Sequence, residues 1–585
     1  MEEKNFNIYE HEKMLEVKKA HPEWVWNRGD THIILGVPGS LEAFKTPVDP
    51  GNSFSPGPGT YGVSSWVYTD GVLYTPEEKN LEELKWEFEN GYLPVVHSYW
   101  NAGKIAVHST LFTDGDQEYS DYQDYFTVEL TNISEEAKEV RFFLPVRSFG
   151  AAGGELRELS GTLDAVSVNG AVCLYAETPA DRFGAVSFAK TQADISVFLR
   201  NGELPEETSV EDESTWASGA WLYEITLQPG KTVCYQFICH LHANHWIRQK
   251  WLKPLQRPFE IEAKKQKVLK EWQGYLGMQL DLPDCRFSDA LRCQLTHLYM
   301  FTVDHDVRIT PISYPLWWLR DGAYVLNALS GGGLFDFSAE ACRKLAWKDT
   351  FGGFGSEGDG PSDGIWVMSE YYLLSRDQEF LKEMFPHMQR RAELLKQMRR
   401  TDKPMKRFTE MVIPKCMLDP NTDLMCLPAR DGLIDGRMDH GFPIFWINSF
   451  AYLAFKRMAF CARELGLDDR EYEQEAQEIR EALYRLTEKG GFAHNDRDVN
   501  SAFWPGGWAE RSNPDIIDGF DRYWREVRFR DGKHCPPILE RQTSLMILRQ
   551  NNCKCPQNGR RKTESILSCR LMLQLCGRTA KEGTM

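Results

Sequence analysis

The stretch "SYPLWWLRDGAYVLNAL", Ser313 to Leu329, sets a tryptophan pair, Trp317 and Trp318, and a charged pair, Arg320 and Asp321, at the mouth of an apolar helix. Pro315 and the aromatic pair read as loop, and the apolar run after Gly322 reads as helix, so Asp321 is expected to cap that helix and meet its positive end. Taken alone this is ordinary helix punctuation. Two later junctions repeat it. "TFGGFGSEGDGPSDGIW", Thr350 to Trp366, carries Glu357, Asp359 and Asp363 on a Gly-rich loop, more acids than one cap needs. "ARDGLIDGRMDHGFPIFW", Ala429 to Trp446, puts Asp431, Asp435, Asp439 and His440 before a helix that is apolar almost all round. Three successive helix entrances therefore gather acids, Arg, His and Trp.

Around these junctions the chain is helical. Apolar residues at helical spacing predict helices at Phe287 to Thr302, Asp321 to Leu329, Ser338 to Trp347, Ser362 to Leu374, Gln378 to Met398, Pro443 to Leu465 and Arg470 to Leu486. Pairs of helices with short turns, each with one very apolar member, suit concentric rings. No repeat of 34 or 40 residues marks a solenoid. Upstream, from about residue 30 to 245, the period is two. "YFTVELTNIS" puts Phe126, Val128 and Leu130 on one face and Thr127, Glu129 and Thr131 on the other. "KIAVHSTLF", "VRFFLPVRSF", "AVCLYAE", "ISVFLRNGE" and "TVCYQFICHLH" are similar runs between Asp-Gly, Asn-Gly and Pro-Gly turns, and together they predict an antiparallel β-sandwich. "GNSFSPGPGTYG", Gly51 to Gly62, is too rich in Gly and Pro for a central strand and is expected to be a loop. "PFEIEAKKQKVLKEWQGYL", Pro258 to Leu276, reads as a connecting helix with a solvated lysine face and Pro258 in its first turn. The expected domains are thus a β-sandwich over 1–250, a helical linker over 251–282, an α-helical catalytic-type domain over 283–550 and an atypical tail over 551–585.

At 585 residues the chain exceeds a single core. A formal charge of -17 disfavours polyanionic partners, so neither nucleic acid nor an anionic membrane is expected. The first residues, "MEEKNFNIYEHEK", have neither a basic nor an apolar leader region, and the expected location is the cytoplasm. Disulfides are not expected among the 14 cysteines. Cys553, Cys555, Cys569 and Cys576 lack the spacing of paired zinc knuckles and have no His nearby, so no metal is expected, and no cofactor.

Aromatic rings beside carboxylates suit glycoside chemistry. A sugar's apolar face stacks on Trp, its hydroxyls take bidentate Asp and Arg partners, and cleavage needs one protonated acid and one carboxylate. The 18 Trp supply rings in surplus, although core packing takes most of them.

"WWLRDGAYVLNAL" resembles the W-x-R-D-x-x-x-V-L signature of the glucoamylase family, and "SEGDGP", Ser356 to Pro361, resembles the Glu-Gly-x-x-Pro general-acid loop of its bacterial members. The order of a β-sandwich, a linker helix and a six-hairpin α/α barrel is similar too. The resemblance implies that Glu357 is the general acid and that Arg320 and Asp321 hold the sugar where cleavage occurs. Trp317, Trp318, Asp359, Asp363, Asp439 and His440 are the accompanying candidates for binding an oligosaccharide. The sequence departs from the pattern after Pro361, where "SDGIWVM" replaces the usual Val-Arg and Asn. It also shows eight or nine helices after Pro283 where the family has twelve, and the segment from Asn551 reads like an altered or truncated terminus without the family's late general base. The implied activity is inverting hydrolysis of an oligosaccharide. The alternatives are an inverting disaccharide phosphorylase, which needs no such base, and a catalytically degenerate glycan-binding protein.

Overall fold

The computed structural model describes residues 16–28, 32–116, 121–148, 154–242, 255, 257–278, 280, 282–309, 318–350, 355–407, 423–439, 441–488 and 501–510, and two strand fragments at 529–530 and 533–534. Trp317, His440 and the tail from 551 lie outside them. The chain divides into two compact units, 1–304 and 305–585.

The first unit is β-rich, with two nine-stranded sheets. One runs in the order Ser209–Glu211, Glu158–Gly161, Ala165–Val168, Ala171–Ala176, Thr232–His240, Asp121–Asn132, Ile105–Asp116, Leu93–Ala102 and Lys85–Glu89. The period of two decides its faces: Phe126, Val128 and Leu130 are fully buried, while Thr127, Glu129 and Thr131 are half-buried. Rings from the other sheet meet this buried face, with Phe54 5.2 Å from Phe126, Phe142 5.2 Å from Tyr235 and Trp221 6.1 Å from Phe237. Each such ring contributes roughly 1.5–3 kcal/mol by leaving water.

Three expectations fail in this unit. Ile195–Leu199, read as a strand, is a short helix whose Asp194 N-cap accepts from Ser196 N and pairs with buried Arg147 at 2.7 Å. A brief apolar run does not distinguish strand from buried helix, and the cap decides. Gly51 to Gly62 is not loop throughout. Ser53–Phe54 and Gly62–Val63 are two-residue strands that join Thr46–Asp49 to Lys138–Arg147, and only the segment between them loops out. Helix α1 (Ile261–Tyr275) packs on Leu93–Ala102 and Ile105–Asp116, with Pro258 before it rather than in its first turn. Helix α2 (Cys285–Met300) completes the unit.

The second unit is helical: α3 (Leu319–Gly331), α4 (Phe335–Leu345), α5 (Gly360–Ser375), α6 (Gln378–Met398), α7 (Ile444–Glu464) and α8 (Arg470–Leu486). The most apolar members, α3, α5 and α7, touch side by side, with α4, α6 and α8 packed against them. Gly364 on α5 lets α6 come close, since a Cβ there would stand 2.5 Å from Arg391 Nε. The fully buried Arg391 guanidinium in turn donates to the carbonyls of Leu345 and Lys348, fastening α6 to the end of α4. The sequence reading has strands nearly vanish in this region, yet Leu424–Arg430 and Leu433–Gly436 form a hairpin, with Met405–Lys406 on its edge. Asp431 (φ 52°) and Gly432 (φ 82°) make its turn, the Asp-Gly pair that a two-residue hairpin favours.

Candidate active site

Arg320, the second residue of α3, is the hub. Its Nη1 donates to Glu357 Oε2 and Asp359 Oδ2, both at 2.9 Å, and its Nη2 donates to Asp439 Oδ1 at 3.2 Å. A single guanidinium thus draws together all three helix entrances. Asp439 closes the circuit through its backbone N–H, which donates to Glu357 Oε1 at 2.7 Å. Trp446, in the first turn of α7, donates its Nε1 to Asp359 Oδ2 at 3.1 Å.

The loop that delivers Glu357 is fixed by backbone contacts. Glu357 N donates to Thr350 O, Gly358 N to Arg437 O, and Arg437 Nη1 to Ser356 O, at 2.8, 2.7 and 2.7 Å. Ser356 Oγ donates to Arg407 O at 2.5 Å. Loop and hairpin can lie this close because both sides are glycine: a Cβ on Gly358 would fall 2.8 Å from Gly436 Cα. The buried hairpin end is therefore the anvil on which the acid loop is shaped.

Burial dominates the electrostatics. Glu357 is 2% exposed, and burial, reinforced by Asp359 and Asp439 and opposed by Arg320, lifts its carboxyl to about 8. Burial and then Asp359 lift Asp363 well above the carboxylate range, and neither of its oxygens has a hydrogen-bond partner among the described residues. Burial raises Asp321 as well, with Arg320 opposing. Burial works against the Arg320 charge too, but Glu357, Asp359 and Asp439 outweigh it and hold its proton above the ordinary guanidinium value. Five carboxyls share one cation, so the site keeps protonated acid at neutral pH. Its outward members are Arg320 and Asp439, with side chains 13% and 28% exposed.

Aromatic rings stand beside the acids. Tyr324 of α3 lies 5.5 Å from the exposed Trp504 ring and 4.9 Å from Trp366, and Phe450 lies 4.8 Å from Trp446. A protonated buried acid next to a charged fork and rings can bind a polyhydroxylated ligand and donate a proton to it.

Of the candidates read from sequence, Arg320, Glu357, Asp359 and Asp439 are in direct contact, and Asp321 and Asp363 interact with them electrostatically. Asp321 is not the cap of α3. Trp318, buried, holds the N-cap position, and Asp321 follows in the first turn. Asp435 points elsewhere, to Arg430 at 2.6 Å. The sequence reading missed Arg437, Tyr324, Trp446 and Trp504. Only Trp446 carried a visible signal, as a polar-edged ring in the first turn of an otherwise apolar helix. Among the described residues no group of three or more His, Cys, Asp or Glu is arranged to hold a metal, and no helix is long and apolar enough to cross a membrane.

No protein-family profile matches the chain, and no curated protein does. Among solved structures, it is similar to a bacterial glucoamylase complexed with acarbose, at 13% identity and TM-score 0.47, over 78% of this chain and 67% of that one. A protein assigned as a kojibiose phosphorylase from the human microbiome gives 9% identity and TM-score 0.33, over 90% and 72%. A rhamnosidase of a Bacillus species gives 10% and 0.26, over 75% and 43%. At these scores the likenesses fix neither a family nor an activity for this chain.

Proposed function

We propose that the second unit cleaves glycosidic bonds in an oligosaccharide by acid catalysis with inversion, with Glu357 donating the proton to the departing oxygen. One observation carries this reading: a carboxyl that burial keeps protonated up to about pH 8 lies 2.9 Å from a guanidinium shared with Asp359 and Asp439. Arg320 orients the acid and, with Asp439, takes the sugar hydroxyls in the outward part of the site. Trp318, Asp321 and Asp363 shape the pocket, and Tyr324 and Trp504 offer ring faces to the sugar. Trp317 and His440 belong to the proposal by their place in the chain alone. The architecture that goes with this reading is a β-sandwich followed by a six-hairpin α/α barrel, of which α3 to α8 are three hairpins.

In an inverting reaction the attacking group approaches the opposite face of the ring, about 6.5–9.5 Å from the acid when a carboxylate must activate water there. Glu357 and Asp359 bind the same nitrogen, so their bound oxygens lie within about 6 Å of one another, short of that separation. Asp359 is therefore not assigned as that base. Phosphate is the alternative nucleophile. Incubating the protein with a panel of gluco-configured disaccharides, with and without phosphate, tests both forms. Free sugar without phosphate supports hydrolysis, and sugar phosphate made only in its presence supports phosphorolysis. Absence of turnover in both arms, with sugar binding intact, overturns the catalytic reading and leaves a glycan-binding protein.

A further inference from the structure

In the first unit, four neighbouring strands carry a row of titratable side chains on the face turned away from the opposing sheet. His97 Nε2 lies 2.8 Å from Glu89 Oε2, His97 Nδ1 lies 3.1 Å from His108 Nε2, and His108 Nδ1 lies 2.7 Å from Glu129 Oε2. Register builds the row. His108 stands directly opposite both Tyr99 and Glu129, and His97 opposite Glu87 and Thr110. The Tyr99 and His108 rings stack at 4.3 Å, nearly parallel, which fixes the imidazole plane.

Counting hydrogens along this row gives a result that no single contact shows. Ionised carboxylates have no hydrogen to give, and Thr110 Oγ1, 3.2 Å from His97 Nδ1, can give one to that nitrogen but none to the line between the rings, so each of the three contacts needs one from a ring nitrogen. Two neutral imidazoles carry two. With both of those directed at the carboxylates, His97 Nδ1 and His108 Nε2 would face each other lone pair to lone pair. With one turned inward, a ring nitrogen would face a carboxylate instead. Three hydrogens satisfy all three contacts, and three hydrogens mean one imidazolium. We propose that a proton bound between His97 and His108 completes this chain and makes it a pH-sensitive tie across Lys85–Glu89, Leu93–Ala102, Ile105–Asp116 and Asp121–Asn132.

The surrounding charges are compatible with one proton and not two. Lys85 lies over the Tyr99 ring at 5.1 Å and pairs with Glu87. On α1, Lys265 is the cation that acts on His97 and pairs with Glu262 at 2.8 Å, while Lys267 pairs with Asp114. Cys234, on the next strand, stands opposite Glu129. On α2, His297 lies against Phe88, and Arg292 and Asp289 pair with each other. Burial holds His97 below the ordinary imidazole value, against Glu89. The extra proton is shared along the His97 Nδ1–His108 Nε2 contact, and the outer N–H groups of the pair then reach Glu89 and Glu129. A second proton would leave the two rings facing each other N–H to N–H. A folded chain that binds the first proton more tightly than the unfolded chain has the tie fully formed below the unfolded imidazole value of about 6.5, and loses it as pH rises through the folded value.

Hydrogen exchange on the full chain, in the presence of a chelator, tests this. The readout is amide protection in Leu93–Ala102 and Ile105–Asp116 relative to Lys138–Arg147 and Ser218–Leu227, which lie in the other sheet. Losing one link is expected to lower that ratio about tenfold between pH 6 and pH 8.5. Glu129→Gln keeps the shape and removes the charge, and is expected to move the midpoint down by about one pH unit or more. His108→Asn is expected to abolish the pH dependence. A flat ratio in the wild-type protein overturns the proposal, and so does a midpoint that Glu129→Gln leaves in place. If His108→Asn does not fold, Glu129→Gln alone decides.

Discussion

Replacing Glu357 with Gln is expected to stabilise the protein at pH 8 and to lower its stability slightly at pH 4. The wild-type carboxyl is lifted from the ordinary 4.5 to about 8, chiefly by burial. The folded chain therefore keeps a proton that the unfolded chain releases above about pH 4.3. The sign follows. The contribution of the protonated acid is fully present below the unfolded value and is lost as pH rises through about 8. At 1.36 kcal/mol per pKa unit, the loss is on the order of 5 kcal/mol by pH 8. Gln matches the protonated acid in shape and charge at every pH and escapes that loss, although its one oxygen accepts from either Arg320 Nη1 or the Asp439 backbone N–H and its NH2 faces the other, at a cost of about 1–3 kcal/mol. For a unit of this size 1 kcal/mol corresponds to roughly 2–4 °C, so a net gain of about 2–4 kcal/mol is expected to raise the melting temperature of the variant by roughly 4–16 °C at pH 8, and the mismatched donor to lower it by a few degrees at pH 4. Calorimetry across pH 4 to 9 reads this directly. A variant that melts below wild type at all pH values would refute the reasoning, since it would make Glu357 an ionised structural partner of Arg320.

Arg320→Lys keeps the charge but loses the planar fork, and a single ammonium cannot hold Glu357, Asp359 and Asp439 together. It is expected to cost a few kcal/mol in chemical denaturation and at least about a hundredfold in kcat/KM. Gly358→Ala puts a methyl 2.8 Å from Gly436 Cα, where backbone must give way. Overpacking of about 1–3 kcal/mol is expected, with kcat falling further than stability alone explains. Asp377→Ala removes the cap that accepts from Glu379 N and Phe380 N at the start of α6, and is expected to cost about 1 kcal/mol in urea without changing kinetics.

Helical periodicity is strong enough over five turns that α6 and α8 could be read from the sequence with both ends right, and α7 to within a residue. The acids at three helix entrances were legible too, because Gly-rich loops carrying more carboxylates than caps require are visible in one dimension. Their convergence was not. It depends on Arg320 reaching three segments between 37 and 119 residues away, and on the Gly358–Gly436 contact that sets the loop. The hairpin under the loop was hidden because "CLPARDGLIDG" alternates weakly, and its Asp-Gly turn sits among acids that invited a chemical reading. Tyr324 and Trp504 were hidden for the opposite reason: nothing in the local pattern separates a ring beside a site from a ring in a core.

Proton donation by Glu357 is tested most directly by comparing wild type and Glu357→Gln on two series of glycosides, one with poor alkyl leaving groups and one with activated aryl leaving groups. A general acid contributes about a hundredfold or more where the departing oxygen must be protonated, and little where it leaves unaided. The Gln variant is therefore expected to lose at least that factor on the alkyl series and to approach wild-type rates on the most activated aryl glycosides. Equal losses on both series, or full activity of the folded variant on the alkyl series, would contradict the role assigned to Glu357.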